Sequence, residues 1–126
     1  MPSRKSILSS QGFECNNWSN NWSFVNHKRK QVCFTGWIDL IDQQDGYLVL
    51  SDKWQIGKSG RRLAGYSVSL EYINDYVRKE SYEVCVLRHE AIDPNDERRR
   101  IQTIYPDLIY GKLEQKGSNY FVKPFL

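Results

Sequence analysis

Aromatic rings set among side-chain amides are the residues of this chain best suited to chemistry, and the chemistry they suit is recognition. Trp18, Trp22, Phe24 and Trp37 include three of the four tryptophans and are interleaved with Asn16, Asn17, Asn20, Asn21 and Asn26. An unpaired base needs a π-face to stack on, worth roughly 1–3 kcal/mol per base, and a few fixed polar groups for its edge. Buried together as core, these indoles would each need a partner for the ring N–H, which is awkward beside so many polar neighbours. The pattern predicts that at least one of them lines a pocket. Asp39, just after Trp37, adds a carboxylate that could accept from a base amino group, although a surface Asp at a strand end is the plainer reading. If Trp22 and Trp37 do not form the pocket, Trp18, or Trp54 with Tyr66, is the next place to look.

Three basic clusters accompany the rings: Lys28-Arg29-Lys30, Lys58 with Arg61-Arg62, and Arg98-Arg99-Arg100. All fall in expected loops. Loop-borne cations, with Gly57, Gly60 and Gly65 letting backbone N–H groups approach, suit the phosphates of a nucleic acid. Asp93, Asp96 and Glu97 partly neutralise the last cluster. The plainer alternative for each is a solvated charged surface.

Catalytic constellations are poor. His27 sits in a basic turn, and His89-Glu90 lacks the second histidine of the H-E-x-x-H zinc motif. The three cysteines, Cys15, Cys33 and Cys85, form no C-x-x-C pair, and two lie in apolar runs where an inert buried thiol is expected. Asp42 and Asp45 surround a turn whose Asp45-Gly46 pair is explained by turn chemistry alone. No enzyme activity, cofactor or metal is expected.

Elements that would position these residues follow from periodicity. The 126 residues suit one core, and 40% apolar with 13% aromatic residues place the chain outside the disordered class. A net charge of +3 decides nothing about partners by itself. A short helix over 3–10 should turn Ile7 and Leu8 inward. Trp22 to Phe24 and Val32 to Trp37 read as a hairpin, Tyr47 to Leu50 as a third strand completing a meander, and Tyr82 to Arg88 as a later strand. Ser69 reads as the N-cap of the main helix, running to about Lys79 with Leu70, Ile73 and Val77 on its apolar face. Ile101 to Tyr110 reads as an irregular extended segment broken by Pro106, and Tyr120 to Val122 as the strand closing the sheet. The sum is a single α+β domain over 1–126 without internal boundary. No signal-peptide core or membrane span is expected, which suits the cytoplasm.

The run NNWSNNWSFVNHKRKQVCFTGWID, followed by LVLSDKW, GRRLAGYSVSLEYI and YFV, resembles the amino-terminal modified-base reader domains of HNH-type modification-dependent restriction endonucleases. These belong with the PUA superfamily, related in kind to SRA, EVE and YTH readers. The resemblance covers about Cys15 to Val122, with Gly65-Tyr66 a marker before the helix. It implies a strongly curved, mostly antiparallel, barrel-like sheet with one main helix, and a base flipped from duplex DNA into an aromatic pocket. Trp22, Asn26, Trp37 and Asp39 would then line the pocket, while Gly60-Arg61-Arg62 and Lys28-Arg29-Lys30 track the backbone. No HNH motif lies in the chain, so a nuclease is expected on a separate domain or subunit. An RNA-binding module of the same superfamily, a metal-dependent nuclease subunit using Asp39 and Asp42, and a protein-docking domain are the rival readings.

Overall fold

Local signals start the chain as expected. In the computed structural model, which describes residues 3–15, 17–18, 20–56, 60, 63–95 and 100–125, the Ser3 hydroxyl accepts from Ser6 N at 3.1 Å and caps helix α1, Arg4–Ser9, which buries Ile7 and Leu8. Strands β1, Ser23–Asn26, and β2, Gln31–Trp37, form the expected antiparallel hairpin. Its turn is held by Asn26 Oδ1, which accepts from Arg29 N at 3.0 Å. A 3-10 turn, Ile38–Leu40, ends β2 and leads to the two-residue β3, Ile41–Asp42, and β4, Gly46–Ser51. The Asp42 carboxylate accepts from Gln44 N at 2.8 Å and Asp45 N at 2.9 Å, and those backbone bonds hold its pKa below the ordinary value. Gly46 is fixed by its φ of 94° and by Val122 O, which a Cβ would approach to 2.2 Å.

The remaining strands are β5, Glu83–Ala91, β6, Ile101–Lys116, and β7, Asn119–Pro124. The seven form one mostly antiparallel sheet in the order β1-β2-β5-β6-β7-β4-β3. This overturns the meander: β2 runs parallel to β5, while β4 pairs with β7 and β3. The strand at Tyr120 to Val122 is interior, and the sheet ends at β1 and β3 without closing. Pro106 does not break β6, because it falls where the β5–β6 register shifts between Leu87 and His89 and no ladder N–H is required of it. Gly111 pairs with Val84 of β5 on one side and Pro124 of β7 on the other, the point at which β6 changes partner.

Both faces of β2 and β5 are covered, which is why their sequences are nearly continuous apolar runs instead of alternating ones. One face holds Val32, Phe34, Val84 and Val86 with Tyr47, Val49, Leu50 and Ile73. Here β2 and β4 approach each other although three strands separate them in the sheet: a Cβ on Gly36 would lie 3.3 Å from Tyr47 Cδ1. The other face holds Phe24, Cys33, Cys85 and Leu87 under Ile7, Leu8 and Phe13. The main helix, α2, is Ala64–Tyr72 and continues as a π-helical turn, Ile73–Arg78. It packs Leu70, Ile73 and Val77 inward as expected but begins earlier than Ser69. Ser69 is no cap: fully buried inside the helix, its hydroxyl hydrogen-bonds that of Ser23. Among the described residues no helix is long and apolar enough to cross a membrane.

Cys33 and Cys85 face each other across β2 and β5, fully buried and unbridged. Burial, with the Cys85 thiol alongside, pushes the Cys33 thiol well above the ordinary value, and burial also raises Cys15. Neither is an activated nucleophile. Changing all three to Ala is expected to cost roughly 1 kcal/mol per buried thiol by urea denaturation and to leave any ligand preference unaltered. Lost preference in a folded triple variant would contradict this.

Candidate nucleic-acid interface

The end of the sheet where β2 finishes gathers most of the rings singled out by sequence. Trp22 precedes β1, its carbonyl accepting from Thr35 N at 3.0 Å. Its indole meets Trp54 edge-on, with centroids 6.1 Å apart. Gly65 in the first turn of α2 presses its backbone on the same indole, so that a Cβ would lie 2.4 Å from Trp22 Cε2. Only glycine permits that approach. Tyr66 packs against the same core, and Trp22, Trp54 and Tyr66 all stay half-buried.

Trp54 ends a 3-10 turn, Asp52–Trp54, and the next residue, Gln55, accepts from Leu63 N at 2.9 Å through its carbonyl. That bond closes the neck of the glycine loop. Lys58, Arg61 and Arg62 lie outside the described residues; the two ends of the bond that brackets them in sequence follow Trp54 and precede Gly65-Tyr66. Of the third basic cluster, Arg98 and Arg99 also lie outside the described residues, as does Asn16.

Trp22 and Trp37 do not share a pocket. Alternation along β2 puts Trp37 on the face of Cys33, whereas Trp22 packs into the core of Phe34 on the opposite face. Trp22 and Phe24 likewise separate, because Trp22 lies before the strand and period-two alternation does not reach it. Trp37 is half-buried with its ring 5.5 Å from that of His89. Asp39 is exposed on the 3-10 turn and no longer in strand alternation with Trp37. Trp18 stacks on Phe24 at 5.0 Å and 14°, and its carbonyl accepts from Arg4 Nη2 at 2.8 Å.

Asn26 is placed away from every one of these rings except through the strand. It pairs with Gln31 at the far end of the hairpin from Thr35, about 13 Å away at the usual rise per residue. Its amide is spent, Nδ2 donating to Gln11 O at 3.0 Å and Oδ1 accepting from Arg29 N. It holds the turn and stands apart from Trp22, lining instead the polar depression at the hairpin tip. Lys28, Arg29 and Lys30 are exposed at that tip, where Lys28 and Arg29 border an open polar depression of about 390 Å³ with Gln11, Gly12 and Glu14.

Sequence reasoning set His89 aside as a failed zinc motif, and the structure makes it one of the buried polar groups without a full set of partners. It is fully buried, and Nδ1 lies 2.9 Å from Leu87 O, which places the proton on Nδ1 and leaves Nε2 an acceptor. Neither Nε2 nor the buried Thr35 Oγ1 has a hydrogen-bond partner. Burial, assisted by the charge of Arg4 and opposed by the Leu87 carbonyl, lowers the pKa of His89 from 6.5 to about 4. Between those values the unfolded chain binds the extra proton, so stability is complete above pH 6.5 and falls as the pH drops toward 4. The expected loss is about 2 kcal/mol by pH 5. Melting temperatures between pH 7.5 and 5 should show it, and His89→Phe should flatten that part of the profile. An unchanged slope in the variant would assign the effect elsewhere.

Comparison with protein-family models, with curated proteins and with solved structures finds no match, so function is read from these residues and their placement.

Proposed function

We propose that the chain is a reader of a modified base in duplex DNA, binding the flipped base in an aromatic pocket and performing no reaction itself. The observation that supports this reading is the bond between Gln55 and Leu63, the two residues that bracket Lys58, Arg61 and Arg62 in the sequence, next to Trp54, which meets Trp22 edge-on, and just before Tyr66. In this reading the cations between Gln55 and Leu63 meet phosphates while the rings beside that bond meet bases. A sheet curved as in PUA-like readers, work in the cytoplasm and a nuclease on a partner domain or subunit belong to the same proposal.

The test is a binding series with the purified chain: duplexes differing in one modified base, their unmodified parents and matched RNA, each across a range of salt. Preference for a modified duplex with steep salt dependence is expected. Equal binding of RNA would favour an RNA-binding module, and indifference to both nucleic acid and salt would favour a protein-docking domain. Because Trp22 and Trp37 occupy opposite faces, only one of them can wall the pocket. Trp22→Ala and Trp37→Ala should therefore differ, one losing roughly 1–3 kcal/mol of binding to modified DNA while nonspecific binding survives. If both fold and keep the preference, the pocket lies at neither.

A further inference from the structure

Four buried side-chain polar atoms among the described residues lack a partner, and two of them share one place. Thr35 and His89 stand on the same face of adjacent parallel strands, Thr35 opposite Leu87 and His89 opposite Trp37, so they are diagonal neighbours. Arg88 Nε points to the other face by alternation, and Asn119 lies at the start of β7. An orphaned buried acceptor costs about 1–3 kcal/mol, and two side by side are costly unless something donates to them. The Leu87 carbonyl fixes the His89 tautomer, so the missing group must be a donor. Trp37 leans on the histidine ring at 58°, at the last position of β2 before the 3-10 turn. Its ring is one cover of this spot, and the charge of Arg4, whose Nη2 donates to Trp18 O, is felt there too.

We propose that Thr35 and His89 are the polar floor of the base pocket and Trp37 its aromatic wall, and that the base read presents an amino group or ring N–H to His89 Nε2. This rests on the DNA-reading function proposed above and selects between its two tryptophans. Neutral histidine keeps the floor an acceptor throughout the physiological range, and the Thr35 hydroxyl can turn to accept or donate as the base edge requires. Trp37 swings from His89 to the face of the entering base. A base without a donor at that edge leaves both floor atoms unpaired and is rejected.

The experiment uses duplexes carrying one 5-methylcytosine or one N6-methyladenine, and the same duplexes with 5-methyl-2-pyrimidinone or 6-methylpurine in place of the modified base, which removes the exocyclic amine and keeps a methyl group. Binding by the parent is compared with Thr35→Val and His89→Phe, each with its melting temperature. A parent that prefers an amine-bearing duplex by roughly 10-fold or more over its amine-free analogue is expected. Both variants should lose that preference; Thr35→Val should melt no lower than the parent because it removes an orphaned polar atom, whereas His89→Phe also gives up the bond from Nδ1 to Leu87 O and should melt lower. Nitrogen-15 histidine spectra of the parent should show the His89 Nε2 resonance shifting on addition of the preferred duplex, which keeps the test independent of how the variants fold. Folded variants that keep the preference, or an unmoved Nε2 resonance in a bound complex, would overturn this assignment and leave the DNA-reading function standing. A parent that binds none of the duplexes at low salt would instead remove the function itself, and this pocket with it.

Discussion

Reversing Arg61 and Arg62 to Glu is expected to lower affinity for duplex DNA by roughly 100-fold or more at low salt and to flatten its salt dependence by about two phosphate contacts. Each reversal removes a cation and adds an anion in a loop whose root is fixed by the Gln55–Leu63 bond. That bond is between backbone groups, so the substitutions leave the neck intact and the fold should survive, as circular dichroism and an unchanged melting temperature would show. The same exchange at Lys28 and Arg29 should cost less, since the hairpin tip stands at the other end of β1 and β2 from the tryptophans. A double variant at Arg61 and Arg62 that binds as tightly as its parent would remove the loop from the interface.

Gly111→Val should be among the most damaging single substitutions for stability, with a loss of about 3 kcal/mol or more in urea denaturation. A Cβ at Gly111 would lie 2.3 Å from Lys123 O and 2.8 Å from Lys123 C, backbone atoms of β7 that cannot give way without parting the sheet. Gly117 offers the contrast. Its φ of 59° favours glycine or asparagine, but nothing lies within 4 Å of its Cβ position, so Gly117→Asn should change stability by less than about 1 kcal/mol. Similar losses from both substitutions would mean that the β6–β7 corner is looser than its geometry indicates.

Much of the local structure was legible because local chemistry decides it. α1 turns Ile7 and Leu8 inward, the basic turn closes the β1–β2 hairpin, and Leu70, Ile73 and Val77 define the inward face of the helix. Pairing between distant strands was not legible. Continuous apolar runs at Val32 to Phe34 and Val84 to Leu87 signal burial on both faces, yet they do not say that the two strands lie side by side and parallel. Ser69 misled because a cap and a buried serine bonded to Ser23 read alike in sequence. The tryptophans were found, but their division between two faces depends on Trp22 lying outside strand alternation. The unpartnered atoms of His89 and Thr35 were not legible because an orphaned acceptor exists only once its surroundings are in place; the cue available was a histidine at a strand position that alternation turns inward.

The parallel pairing of β2 with β5, and of β4 with a strand from the far end of the chain, also sets a timetable. Val32 must wait for Val84, and Leu48 must wait for Phe121, before either gains its sheet neighbour. Loop-closure entropy is therefore spent early and returned late, the circumstance in which small proteins refold over milliseconds to seconds instead of microseconds. Until β7 docks, β4 exposes an unpaired edge together with the apolar side chains of Tyr47, Val49 and Leu50, and a population halted at that stage would pair with other copies of itself. Refolding yield should accordingly fall as protein concentration rises, well before any change in the stability of the finished fold.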